Sequence, residues 1–210
     1  MTTVADARAT ANSGADWIGL NFVDRSPRRV VDEVAREIVD ALPAGVEAVG
    51  LFVDAPAGQI REKAASVGFG LVQLHGDEPP CSVGVLAPLR VVKAFRLRDL
   101  AAIGAMRAWL GEADDLGCPP YAVLVDAFVA GLAGGTGHRI DDALLDALPR
   151  RPRLILAGGL NPGNVAERIG RVGPWMVDVA GGVESSPGRK DARLVAEFVA
   201  AARSAGRSSR

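Results

Sequence analysis

The sequence predicts an α/β fold on a parallel sheet, a (β/α)8 TIM barrel that lacks its first strand in this chain. Two observations carry this. Short apolar runs, mostly Val, Ile and Leu on both faces, alternate with segments of helical period. The count is also uneven, with eight helical segments, seven strands and a helix at the start. Eight helices around a sheet suggest the eightfold barrel, in which every helix follows a strand. The first helix has no strand before it. Either the sheet is open with an extra helix, or an N-terminal strand is absent from the chain. The second arrangement leaves two apolar edges facing a gap, which is costly.

The elements follow in order. A helix over Thr3–Ser13 ends at Gly14, where a C-terminal cap is wanted, and a strand over Asp16–Phe22 follows. Asp32 caps or opens the helix Asp32–Leu42, which leads to the strand Glu47–Val53. The helix Ala57–Val67 stops at Gly68 before the strand Leu71–His75. A short helix near Pro80–Leu86 precedes the strand Arg90–Phe95, and the helix Leu100–Glu112 gives way to a loop, Gly111–Pro120, rich in Gly, Asp and Pro. The strand Ala122–Asp126, helix Asp141–Leu148, strand Arg153–Ala157, helix Pro162–Val172 with Asn161 as N-cap, strand Trp175–Val179 and helix Ala192–Ala205 with Asp191 as N-cap complete the chain. No linker divides it. Residues 1–203 read as one domain, and 204–210 as a polar, basic, disordered tail.

Composition narrows the function classes. Lys plus Arg is 24 and Asp plus Glu is 25, a formal charge of -1, which gives no electrostatic reason for a nucleic-acid or membrane partner. No apolar stretch approaches the roughly 20 residues that span a bilayer, and MTTVADARAT lacks the regions of a signal peptide. Cys81 and Cys118 form no metal-ligand spacing and read as reduced thiols in a cytoplasmic protein.

In a barrel the chemistry sits at the C-terminal ends of the strands. The last two strands run into Gly158-Gly159 and Gly181-Gly182. Glycine lets the backbone approach an anion closely, and this is where many barrels bind phosphate. Ordinary turns also call for glycine. Asp126 ends its strand and suits general acid or base work, or else a cap or loop ion pair. Arg28 suits a substrate carboxylate, though Arg25 and Arg29 make a plain solvated basic loop an alternative. For His75 a structural hydrogen-bonding role is the better default over catalysis. Lys93 reads as a Schiff-base lysine or as an ion-paired lysine inside the barrel.

Taken together, Ser26-Pro27-Arg28, Val72-Gln73-Leu74-His75-Gly76-Asp77-Glu78, Val91-Val92-Lys93-Ala94, Leu124-Val125-Asp126, Gly134-Gly135-Thr136-Gly137, Leu156-Ala157-Gly158-Gly159-Leu160-Asn161-Pro162 and Val177-Asp178-Val179 with Gly182-Val183-Glu184-Ser185-Ser186-Pro187-Gly188 resemble phosphoribosylanthranilate isomerase, from about Thr2 to about Ala201. The resemblance implies an Amadori rearrangement in tryptophan biosynthesis, without metal or organic cofactor, on a phosphorylated small molecule by a monomer or homodimer. It implies that Asp126 protonates the ring oxygen, that Arg28 holds the anthranilate carboxylate, and that Gly158, Gly159, Gly181 and Gly182 hold the phosphate. Two departures stand out. The family's first strand carries Lys-Ile-Cys-Gly or similar, and its cysteine is the general base. Here Met1-Thr2-Thr3 looks like the tail of that motif, and neither Cys81 nor Cys118 matches the missing position. An impaired enzyme is then expected. Second, Ala180-Gly181 stands where the family often has serines. The alternatives are a non-catalytic phosphate-ligand binder, or another phosphosugar barrel such as the histidine-pathway aminoaldose isomerase or indole-glycerol-phosphate synthase, which rely on other residue sets.

Overall fold

The computed structural model describes residues 1–127, 142–149, 151 and 153–208. Among them, seven strands form one parallel sheet in chain order: β1 (Trp17–Asn21), β2 (Glu47–Phe52), β3 (Leu71–Leu74), β4 (Arg90–Leu97), β5 (Ala122–Ala127), β6 (Leu154–Leu156) and β7 (Met176–Val177). The helices between and around them are α1 (Val4–Asn12), α2 (Asp32–Asp40), α3 (Ala57–Val67), α4 (Ser82–Val85), α5 (Leu100–Asp115), α6 (Asp142–Asp146), α7 (Val165–Val172) and α8 (Ala192–Ser208). After β7 come a 3-10 turn, Gly181–Val183, and a small antiparallel hairpin of β8 (Glu184–Ser186) and β9 (Arg189–Lys190). The sequence pattern did not foresee that hairpin, whose strands are short and polar.

Alternation along the strands sorts side chains between an inner and an outer face. Val49, Leu71, Val92, Ala94, Ala122, Leu124, Ile155 and Ala157 form one inner cluster, with Trp17, Tyr121 and Met176 packed on it. Inner residues from all seven strands therefore converge, and the sheet is curled. At its base the Trp17 and Trp175 rings lie 5.6 Å apart, centroid to centroid. The outer faces pack on the helices in two further clusters, one around Ile18, Leu20, Ile38, Ile60 and Leu74, the other around Met106, Leu110, Val125, Leu156 and Phe198.

Among the described residues, β1 pairs with β2, β7 pairs with β6, and no pairing joins β1 to β7. The helix ring is nevertheless closed there. α8 packs on α1, and Arg203 donates to the Gly14 carbonyl at 2.6 Å. Ile18 and Leu20 on edge strand β1 are fully buried beneath the helices. The cost expected of exposed apolar edges thus does not fall on these two side chains, because they point outward to α1 and α2 and away from the gap.

Several boundaries differ from the sequence pattern. Asp32 opens α2 and does not cap it. Asn161 does not cap α7. Its Oδ1 accepts from Gly163 N in a turn, and the helix starts after Asn164. Asp191 does cap α8, its Oδ1 accepting from Leu194 N. α5 continues to Asp115, so the loop expected from Gly111 begins later, with Leu110 and Ala113 holding that last stretch against the core. α8 runs through Ser208, which takes in most of the tail expected to be disordered from Ser204, and Ala205 packs on the core. Ser209 and Arg210 lie outside the described residues, as does the Gly134–Gly137 motif.

Candidate active site

The inward parity of each strand carries on to its C-terminal end. It places Asn21 after Gly19, His75 after Gln73, Arg96 after Ala94, Asp126 after Leu124 and Asp178 after Met176 around one mouth. Asp126 itself is buried, opposite Arg96 in the register.

Asp126, both glycine pairs and Asp178 line one pocket open to solvent, together with Ala157, Leu160, Val179 and Ala180. Gly158 (φ 86°) and Gly159 (φ 63°) both adopt the left-handed backbone that side chains disfavour. Gly182 is needed for a different reason. A Cβ there would meet the Leu160 carbonyl oxygen at 1.8 Å, so the two glycine loops touch backbone to backbone. The Asn164 side chain ties the first loop down, donating to Gly159 O and accepting from Asn161 N, both at 2.9 Å.

Arg28 does not line this pocket. It sits in the loop after β1, and its Nε and Nη2 grip Glu184 of β8 at 2.9 and 2.7 Å. Lys190 approaches the same carboxylate at 3.2 Å. Burial pushes Glu184 up, but the bonds from Arg28 and the charge of Lys190 outweigh it and hold the carboxyl below its ordinary value. Glu184 was visible in the sequence only as part of a motif, without its role, because its partner lies far away along the chain. The carboxylate fixes one edge of the guanidinium and fastens the Arg28 loop to the segment after Gly182.

Asp178 was visible only as part of a motif. Burial raises its pKa, against the pull of Lys190, a Val179 backbone bond and the Met1 α-amine. That amine donates to the Gly19 carbonyl on the β1 edge, and its pKa is pushed down to about 5, chiefly by burial and next by Lys190.

Lys93 is ion-paired, with Glu78 at 2.8 Å, and it also donates to Gly76 O at 2.6 Å. It is not inside the barrel, however. It shares parity with outward Val91 and reaches over the Trp109 ring of α5. Glu78 also accepts from Asp54 N and Gly76 N, so this buried pair clamps the ends of β2 and β3. His75 makes a hydrogen bond to Gln73 at 3.0 Å and faces Asp126 at 3.7 Å. Cys81 is exposed, Cys118 Sγ lies 3.9 Å from the Pro80 carbonyl, and neither lines the pocket.

The family model described as N-(5'-phosphoribosyl)anthranilate (PRA) isomerase matches residues 1–201. An N-(5'-phosphoribosyl)anthranilate isomerase of Geobacter sp. (strain M21) is 42% identical over 206 residues, covering 97% of this chain and 95% of the relative. The crystal structure of phosphoribosyl anthranilate isomerase from Thermotoga maritima superposes with a TM-score of 0.85 at 32% identity, covering 97% of this chain and 96% of that one. A phosphoribosyl anthranilate isomerase in complex with reduced 1-(o-carboxyphenylamino)-1-deoxyribulose 5-phosphate superposes with a TM-score of 0.81 at 32% identity, covering 97% and 95%. With its family model matched over nearly the whole chain, and relatives of the same name at full length, the chain belongs to the phosphoribosylanthranilate isomerase family.

Proposed function

We propose that the chain isomerises N-(5-phosphoribosyl)anthranilate to 1-(2-carboxyphenylamino)-1-deoxyribulose 5-phosphate, with Asp126 as the acid on the ring oxygen. The observation that carries this is the shared pocket. The Asp126 carboxyl and two glycine loops in backbone contact face the same space, with Asp178 on its wall. The loops offer N–H groups to a phosphate at the ends of β6 and β7, a usual phosphate position in such barrels. Asp126 then stands at one end of a substrate anchored at the other. Its proton goes to the ring oxygen as the C1–O bond breaks and that bond's electron pair moves to oxygen, leaving a protonated Schiff base. Arg28, oriented by Glu184, keeps N–H donors beyond the edge that Glu184 occupies, which suits the anthranilate carboxylate.

The open side between β1 and β7 fits one further strand. In support, Gly19 lies on the side of β1 away from β2, and its carbonyl accepts a hydrogen bond from outside the sheet ladder. A general base for the C2 proton would come from that side, since neither cysteine lines the pocket.

The test is steady-state kinetics on phosphoribosylanthranilate. Asp126→Asn keeps the size but cannot donate the proton, so kcat falls with little change in KM. An Asp126→Asn protein with unchanged kcat refutes the assignment.

A further inference from the structure

Gln73 and His75 share inward parity at the end of β3, and their side chains meet. Gln73 Nε2 lies 3.0 Å from His75 Nδ1. An amide nitrogen only donates, so Nδ1 accepts, and in a neutral imidazole the proton then sits on Nε2. That Nε2 is buried, has no hydrogen-bond partner among the described residues, and lies 3.7 Å from Asp126 Oδ2. The ring is neutral around pH 7. Burial above all, then the charges of Arg96 and Lys93 on β4, push its pKa down to about 4. Arg96 also donates to the His75 carbonyl at 3.1 Å, while Lys93 is held by Glu78. Asp126 is the carboxyl that faces the ring from β5.

We propose that His75 is a positioning residue for Asp126, its Nε2–H receiving the carboxylate that Asp126 becomes when it gives up its proton. The proposal rests on Asp126 being the acid. The Asp126 O–H bond breaks and the proton moves to the substrate ring oxygen. The imidazole transfers nothing; it donates a hydrogen bond to the new negative charge. At 3.7 Å the contact is too long for a hydrogen bond at rest, and a closure of roughly 0.8 Å brings it to the length typical of charge-assisted bonds. A bond that forms only once charge has developed acts on kcat and leaves KM largely alone.

The experiment compares kcat and KM for His75→Leu, His75→Gln, Asp126→Asn and the double variant His75→Leu/Asp126→Asn. Leucine removes the donor and should lower kcat about tenfold or more, as expected for a lost hydrogen bond to a charged group. Glutamine presents an N–H at a similar reach and should restore most of the rate. In the Asp126→Asn background the leucine change should add almost nothing, because its partner charge is gone. A leucine factor that persists in that background, or a glutamine variant as poor as leucine, overturns the role of His75 while Asp126 stands. An Asp126→Asn protein with unchanged kcat removes the acid and this proposal with it. Imidazole ¹⁵N spectra of the chain give a second readout that needs no turnover, since the chain has two histidines, His75 and His138. His75 should stay neutral and protonated at Nε2 down to about pH 5. Protonation at Nδ1 overturns the proposal.

Discussion

Replacing Gly182 by alanine tests whether the contact between the two glycine loops makes the anion site. The new methyl would lie 1.8 Å from Leu160 O, 2.9 Å from Leu160 C and 3.1 Å from Asn161 Cβ. Carbon and oxygen rest at about 3.3 Å or more, so the loops must part by about 1.5 Å. Neither side yields easily. Leu160 and Val183 are both buried in the same cluster, and Asn164 pins the first loop by two hydrogen bonds. Overpacking of this kind costs about 1–3 kcal/mol, or roughly 2–12 °C in Tm for a domain of this size. Separated loops no longer converge on a phosphate, so KM for phosphoribosylanthranilate should rise about tenfold while kcat changes little, the mark of lost uniform binding. Inhibition by inorganic phosphate should weaken in step. Gly170 of α7 is the control, because a Cβ there meets nothing within 4 Å. Gly170→Ala should leave KM unchanged and stabilise by about 0.5–1 kcal/mol. A Gly182→Ala protein with wild-type KM and Tm would show that the loop contact is not what shapes the site.

Other perturbations follow from the same geometry. Arg28→Ala breaks the bidentate grip on Glu184 and the proposed carboxylate contact, so KM should rise, with kcat affected as well, whereas near-neutral kinetics would make the loop structural. Lys93→Met leaves buried Glu78 with only backbone donors and should cost about 3 kcal/mol in urea unfolding. A loss under about 1 kcal/mol would show that those donors suffice. Stability should also fall as pH drops from 6.5 to about 4, because the unfolded chain binds a proton at His75 that the native state refuses. In full the effect is about 3 kcal/mol. His75→Gln should flatten that part of the pH profile, and an unchanged slope would place the titration elsewhere.

The parts legible in the sequence are those with a local cause. Strand positions follow from runs of Val, Ile and Leu, and the capping roles of Gly68 and Asp191 follow from residue type at one position. Asp126 and the glycine pairs could be placed because a barrel puts strand ends on one mouth, and a strand end is itself a local feature. Arg28 could be singled out by type but not in its surroundings, because the grip of Glu184 spans more than 150 residues. Lys93 shows the limit more sharply. A lysine in an apolar strand could face either side, and only the register of β4 turns it outward to Glu78. The edge of β1 shows it once more. A missing neighbour suggests exposed apolar side chains, yet Ile18 and Leu20 are fully buried. The gap lies along the hydrogen-bonding edge, and side chains stand perpendicular to that edge, so the helix ring can cover them while backbone groups such as Gly19 O find another donor.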